Sequence, residues 1–397
     1  MEKISARIAA LAESQTMAMH QKTRELQAQG INVINMAVGE PDFNTPAFIK
    51  EAAKQAIDDN YTFYSPNQGY PDLIQAIIQK FKRENGLDYT AQEVMVSCGA
   101  KHCLANVMMS LIDKGDEVLL PAPYWVSYYE LIRLAEGKCV VLPTSYESDW
   151  KITAGQLEKA ITPATRALIL CSPSNPTGSV YSYAEMESLA RVLEKHPQVY
   201  VISDEIYEHI NFTGRHVSMA NFPWMKERTF VINGVSKGYA MTGWRIGYLA
   251  APAWMIKACS KLQSQFTSNA STIAQRAALA ALTGDQSVVE EMRQAFRRRR
   301  DLVMRLIGTI AGLKTTCPDG AFYLFPDASA FFGKSDGETV IRNSTDLCMY
   351  LLQKAHVGCV PGSAFGDDRC FRISYASADE LLIKAMERMK KAFDRLR

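Results

Sequence analysis

The chain has 397 residues, 47% of them hydrophobic and 22% charged, with Lys plus Arg (44) against Asp plus Glu (42) and a net charge of +2. That length exceeds one ordinary core and predicts two folded units, while the composition excludes a disordered or collagen-like chain. The balanced charge gives no broad field for nucleic acid or an anionic membrane, so a small-molecule enzyme is expected.

The first residues, Met1-Glu2-Lys3-Ile4-Ser5-Ala6-Arg7, lack the apolar core of a signal peptide, and no apolar run approaches the ~18 residues of a spanning helix. A cytoplasmic location is expected. Nine cysteines, at positions 98, 103, 139, 171, 259, 317, 348, 359 and 370, form no CxxC pair and no metal-ligand spacing, so they read as reduced thiols with no metal site.

Seven short apolar runs follow in chain order: Val94-Met95-Val96-Ser97, Val118-Leu119-Leu120, Val140-Val141-Leu142, Ala167 to Cys171, Val199 to Ser203, Thr229 to Asn233, and Ile246 to Ala250. Such runs fit strands buried on both faces. Helix-like segments fall between most of them, among them Ala100 to Ile112 and Tyr183 to Lys195, which predicts an α/β fold with a mainly parallel seven-stranded sheet flanked by helices. Ala253 to Leu282 and Val288 to Ile310 read as long helices. The tail, with strands at Phe322 to Phe325 and Phe371 to Tyr375 and helices at Asn343 to Lys354 and Asp379 to Arg397, reads as a smaller α+β domain. The expected division is an N-terminal segment 1–46, a large domain 47–290 and a small domain 291–397, with no Pro/Gly linker at the last boundary. The run Arg297 to Arg300 points around most of a helix and reads as a solvated face.

The chemistry gathers where strands end. Ligands of such sheets sit at the carboxyl ends of the strands. Lys237 follows the run Thr229 to Asn233, and Arg245 lies eight residues on. An amine able to form a Schiff base, together with a permanent cation for a phosphate, points to pyridoxal 5′-phosphate. Asp204 ends the run before it and could keep a pyridine nitrogen protonated, with Tyr207 and Asn175 donating to the ring hydroxyl. Each signal has a plainer reading: Asn175-Pro176-Thr177-Gly178 as a turn, Asp204 as a helix cap, Lys237 as a solvated side chain. Three consecutive strand ends each supplying a group that one cofactor needs favour the shared reading.

The motifs Ser172-Pro173-Ser174-Asn175-Pro176-Thr177-Gly178, Ser203-Asp204-Glu205-Ile206-Tyr207, Ala240 to Gly247 and Phe371-Arg372-Ile373-Ser374-Tyr375 occur in the order found in class I aminotransferases, which the chain resembles over nearly its whole length. Gly39-Glu40-Pro41-Asp42-Phe43 and Pro123 to Tyr128 resemble the bacterial aspartate aminotransferase subgroup. The resemblance implies the fold of type I pyridoxal-phosphate-dependent transferases, with Lys237 as the Schiff-base lysine and Asp204 as the pyridinium partner. It further implies that Trp125 stacks on the ring, that Arg245 and the amides of Gly99, Ala100 and Lys101 hold the phosphate, and that Tyr64 reaches the phosphate of a partner subunit, making a homodimer with shared sites. Arg372, with Gly39 and Asn175, would bind the substrate α-carboxylate, and Lys101 the distal carboxylate.

The activity so implied is ping-pong transamination of L-aspartate and 2-oxoglutarate to oxaloacetate and L-glutamate. The pattern Gly99-Ala100-Lys101-His102 departs from the Gly-Gly-Lys-Gln of many relatives but keeps the lysine. Relatives that accept prephenate carry a lysine two positions before a serine, where this chain has Ala12 before Ser14, which argues against prephenate. Two alternatives stand beside this activity: an aminotransferase for aromatic or other neutral amino acids, or a β-lyase, on the same fold; and a non-enzymatic ligand-binding regulator. The last would need a DNA-binding module, and the roughly 90 residues before the first sheet strand contain Gly39-Glu40-Pro41 rather than a basic winged helix.

Overall fold

The computed structural model describes residues 4–12 and 15–397. Its strands in chain order are Ile34–Asn35 (β1), Val94–Ser97 (β2), Glu117–Ala122 (β3), Lys138–Pro143 (β4), Thr165–Cys171 (β5), Tyr200–Asp204 (β6), Thr229–Gly234 (β7), Gly247–Ala250 (β8), Tyr323–Leu324 (β9), Val357–Gly358 (β10), Val360–Pro361 (β11) and Phe371–Ser374 (β12). Strands β2 to β8 form one seven-stranded sheet in the order β2-β8-β7-β6-β5-β3-β4. Only β8 runs antiparallel to its neighbours, β2 and β7. Each of the seven apolar runs in the sequence lies within or across one of these strands.

Burial explains why those runs were continuous. Every residue of β2, β7 and β8 is buried, because helices cover both faces of the sheet. The helices Ala100–Leu111 and Ala253–Phe266 pack on one face through Leu104, Val107 and Ile256, and Leu157, Met186 and Leu189 lie in a separate cluster with Leu168 and Val201. The strand β4 differs from expectation. It is one of the two sheet edges, Val141 is exposed, and Lys138 and Pro143 blunt the open row of backbone groups.

The stretch expected as one helix from Ala253 to Leu282 is two, Ala253–Phe266 and Thr272–Thr283. The intervening Thr267-Ser268-Asn269-Ala270-Ser271 breaks it with local polar bonds: Ser268 takes a left-handed φ of 61°, and the Ser271 hydroxyl accepts the Ala274 amide at 3.4 Å. The helix expected to Lys354 ends at Tyr350 and continues as a π-type turn, Leu351–Ala355, and the last helix, Asp379–Phe393, stops short of the terminus.

A second cluster of buried side chains joins Met36, Phe296, Val303, Tyr323, Leu351, Phe371 and Met389. Around it lie the antiparallel sheet β11-β12-β9 and the parallel pair β1-β10. Ile206, Tyr207 and Ile210, which follow β6, also belong to it, so the carboxyl edge of the large sheet abuts this second core. The arginine run fits the reading of a solvated face only at Arg297 and Arg298, which are exposed, and corrects it at the next two positions. Arg299 is buried and donates to both oxygens of Asp42, at 2.6 and 2.9 Å, while Arg300 bonds Asp301 and the Pro318 carbonyl. The helix Ser287–Ile307 is thereby clamped to the segment just after Gly39.

Candidate active site

In the parallel ladder Cys171 pairs with Asp204 and Asp204 with Ile232, so the loops after β5, β6 and β7 leave one edge of the sheet together. That edge opens on a cavity of about 390 Å³. Of the residues expected in the site, Gly39, Ala100, Lys101, Trp125, Asn175, Asp204, Tyr207, Lys237, Arg245 and Arg372 all line it. Gly99 lies behind Arg245: its φ is +89°, and a β-carbon there would collide with the guanidinium. Tyr64 stands apart, 91% exposed on the surface and outside the cavity.

Asp204 is buried in the cavity wall. Its carboxylate accepts the Tyr128 hydroxyl at 2.6 Å and the Ile206 amide at 3.2 Å. Burial pushes the carboxyl up to about 6, against the lowering pull of those two donors. The Lys237 amine donates to the Gly39 carbonyl and lies 5.7 Å from the centre of the Tyr207 ring. Burial brings it down to about 8; Glu40 opposes that shift, while Arg372 and Arg245 add to it. The Tyr207 hydroxyl is bonded to that of Tyr323 at 2.8 Å, and burial together with Tyr323 keeps it protonated far above its ordinary range.

One end of the cavity suits an anion. The amides of Ala100 and Lys101 begin a 12-residue helix and donate to no acceptor among the described residues. Beside them Arg245 is held in a left-handed conformation, φ 58°, its guanidinium bonded to the carbonyls of Thr242 (2.9 Å) and Cys98 (3.3 Å). The strand-to-helix junction has no slack, because a β-carbon on Gly247 would strike the Ala100 amide. Over the cavity, Trp125 occupies the N-cap position of the helix Val126–Leu134, with the Lys101 amine 4.8 Å from its ring centre.

At the other end Arg372, on β12, is 1% exposed. It donates to the Asn175 side-chain oxygen at 2.9 Å and to the Ala37 carbonyl at 2.7 Å, and no carboxylate pairs with it among the described residues. Its Nε has no partner. A buried cation without an acid is costly unless an anion joins it, so this end is also built for a negative group.

The sequence reading did not single out Tyr128 or Tyr323. The spacing of Trp125 and Tyr128, three residues apart on one helix, was the available signal for the former. Replacing Tyr128 by phenylalanine removes a donor from buried Asp204, at a cost of about 1–3 kcal/mol once that acid is ionised. A raised carboxyl penalises the fold increasingly as pH climbs from the ordinary value near 4 through about 6. The loss in melting temperature of the cofactor-free Tyr128→Phe protein should therefore be larger at pH 8 than at pH 5; equal losses would mean that Asp204 does not titrate there.

No helix of the described residues is long and apolar enough to cross a membrane. Comparison with known proteins agrees with the geometry. The family model described as aminotransferase class I and II matches residues 31–389. The chain is 49% identical over 394 residues to a bifunctional aspartate aminotransferase and glutamate/aspartate-prephenate aminotransferase of Petunia hybrida, covering 98% of this chain and 82% of that one. It is 46% identical to an aspartate/prephenate aminotransferase of Nitrosomonas europaea, covering 98% of both. The crystal structure of an aspartate aminotransferase from Rhizobium meliloti superposes with a TM-score of 0.96, at 45% identity and 100% coverage of both chains. With its sheet order, its motifs and a match across nearly its full length, this chain belongs to the class I and II aminotransferase family.

Proposed function

We propose that the chain uses pyridoxal 5′-phosphate to transfer the amino group of L-aspartate to 2-oxoglutarate, giving oxaloacetate and L-glutamate in two ping-pong half-reactions. The observation that carries this reading is the convergence on one cavity of a desolvated lysine, a buried carboxylate, a pair of free helix-start amides and a buried arginine lacking an acid. Those groups match the cofactor: Arg245 and the amides of Ala100 and Lys101 for its phosphate, the expected Gly99 amide being already donated to the Ser97 carbonyl at 2.7 Å, Asp204 for its ring nitrogen, Tyr207 and Asn175 for its hydroxyl, Trp125 for its face and Lys237 for its aldehyde. When bound, the cofactor supplies an electron sink for the bond broken at the substrate α-carbon.

The residues of the chain do the rest. Arg372, with Asn175 and the Gly39 backbone, holds the α-carboxylate, and a guanidinium fork sets its orientation. Lys237, with its lowered proton affinity, is neutral at mildly alkaline pH and would take the α-proton as base, then give it as acid to the carbon of the cofactor's aldehyde. Lys101, exposed at the cavity rim, faces the distal carboxylate. Tyr64 and its neighbour Phe63, 91% and 78% exposed, form the apolar contact with a second subunit, whose phosphate Tyr64 would reach. The division into 1–46, 47–290 and 291–397 belongs to the same proposal. Its last boundary falls within the helix Ser287–Ile307, which makes that helix the link between the two cores.

Amino-donor profiling of the cofactor-loaded protein tests the reading: aspartate should outrun phenylalanine, and a cystathionine-like substrate should release no pyruvate. Preference for phenylalanine would favour the aromatic alternative. Lys101→Ala should cut aspartate turnover per KM by roughly tenfold while sparing alanine and phenylalanine, since only aspartate has the second carboxylate. Equal loss on all three donors would remove Lys101 from the distal-carboxylate role. The reading stops short of prephenate: position 12 is alanine, its amide bonded to Glu130 at 3.2 Å, and Ser14 lies outside the described residues.

A further inference from the structure

Asp204, Ile206 and Tyr207 line the cavity, while Glu208 and His209 of the same segment belong to a polar network behind it. Glu208 is paired with the Lys80 amine and accepts the Asn85 side-chain amide at 2.8 Å. Asn85 in turn accepts from Lys80 at 2.8 Å. Against the opposing effect of burial, Lys80 with His209 and His216 holds the Glu208 carboxyl well below its usual range. Next along the chain, His209 Nε2 bonds Glu84 at 2.9 Å, and Glu84 lies 3.7 Å from Lys80.

The other side of the His209 ring is where the site is reached. A β-carbon built on Gly238 would lie 2.6 Å from Nδ1 and 3.0 Å from the histidine Cβ, so the ring packs directly on the backbone next to Lys237. Tyr239 closes the contact edge-on, with ring centres 5.5 Å apart. The imidazole is thus held between a charged network and the turn that carries the amine.

We propose that His209 is a positioning residue for Lys237, its ring fixed by Glu84 and braced against the Gly238 backbone. The charged groups facing the ring are Glu84, Glu208 and Lys80, with Tyr239 across it. Those acting on Lys237 are Glu40, Arg372, Arg245 and Asp204. None of the latter touches His209, so a change at His209 acts on the amine through the backbone. The inference rests on the aminotransferase reading of Lys237.

The test uses the cofactor-loaded protein. In His209→Ala the turn relaxes and water reaches the amine, so the pH midpoint of the bound cofactor's visible band should rise by roughly half a unit or more. Turnover should fall about tenfold or more, with KM for aspartate within about twofold, because the carboxylate clamp is untouched. His209→Gln, which can still donate to Glu84, should recover most of both losses. An unmoved midpoint overturns the proposal, whatever happens to melting temperature or turnover, and so does failure of Gln to do better than Ala. Should His209→Ala not fold, Glu84→Gln reads the same midpoint, with a smaller upward shift expected and no shift overturning the idea. A Lys237→Ala control separates the two levels: a visible band that survives there sinks the assignment of Lys237 itself.

Discussion

Under the proposed function, Lys237→Ala should lower transamination by more than about a thousandfold and abolish the visible absorbance expected of the wild-type protein with pyridoxal phosphate, because one side chain would serve as both covalent anchor and proton carrier. Its setting adds a pH signature. Burial brings the amine down to about 8, with Arg372 and Arg245 adding to the shift. An ordinary lysine would be well under ~1% neutral at pH 8, whereas about half of this one is. For a lowered lysine the neutral, nucleophilic form fills in as pH rises through the folded value. Covalent capture of the aldehyde by cofactor-free protein should therefore accelerate up to about pH 8 and level off above it. A rate still climbing at pH 10 would mean the amine keeps its solution properties. Full activity in the alanine variant would mean another lysine does the work.

Local sequence made the large sheet legible because its strands are covered on both faces. Val94–Ser97 and Thr229 to Asn233 read as apolar runs since every residue in them is buried. The edge strand was legible as a strand but not as an edge, because Val140-Val141-Leu142 is equally apolar and only the neighbouring order reveals what it lacks. The break at 267–271 was missed for a different reason. It contains neither Gly nor Pro, and its cause is side-chain competition at Ser271 rather than a backbone constraint. In the cavity, Lys237, Asp204 and Asn175 were legible because each lies at or just beyond the carboxyl end of a strand. Tyr128 and Tyr323 were not, because their roles come from hydroxyl partners 76 and 116 residues away in the chain. The same holds for Arg299, whose partner Asp42 lies 257 residues off. Composition counts such charges and says nothing of which turn inward.

Arg372→Lys should raise KM for amino-acid donors roughly 10- to 100-fold, although the change keeps the formal charge. The guanidinium lies 4.5 Å from the Tyr323 ring centre and 5.0 Å from that of Phe365, and its donors are split between Asn175 and Ala37, with Nε left free. Stacking and splitting both depend on a flat, five-donor group. Lysine offers a single, more strongly hydrated ammonium and cannot hold Asn175 and Ala37 while also meeting a carboxylate in parallel. Charge is lost as well as geometry. Arginine remains protonated even where burial lowers it, but an ammonium in the same pocket has its pKa depressed and becomes neutral as pH rises through that value. The variant should consequently lose affinity for a dicarboxylate such as maleate between neutral and alkaline pH, over a range where the wild-type arginine still carries its charge. Equal maleate affinity in the two proteins at pH 7 would remove Arg372 from the carboxylate site. A deficit that does not grow with pH would assign the loss to geometry alone.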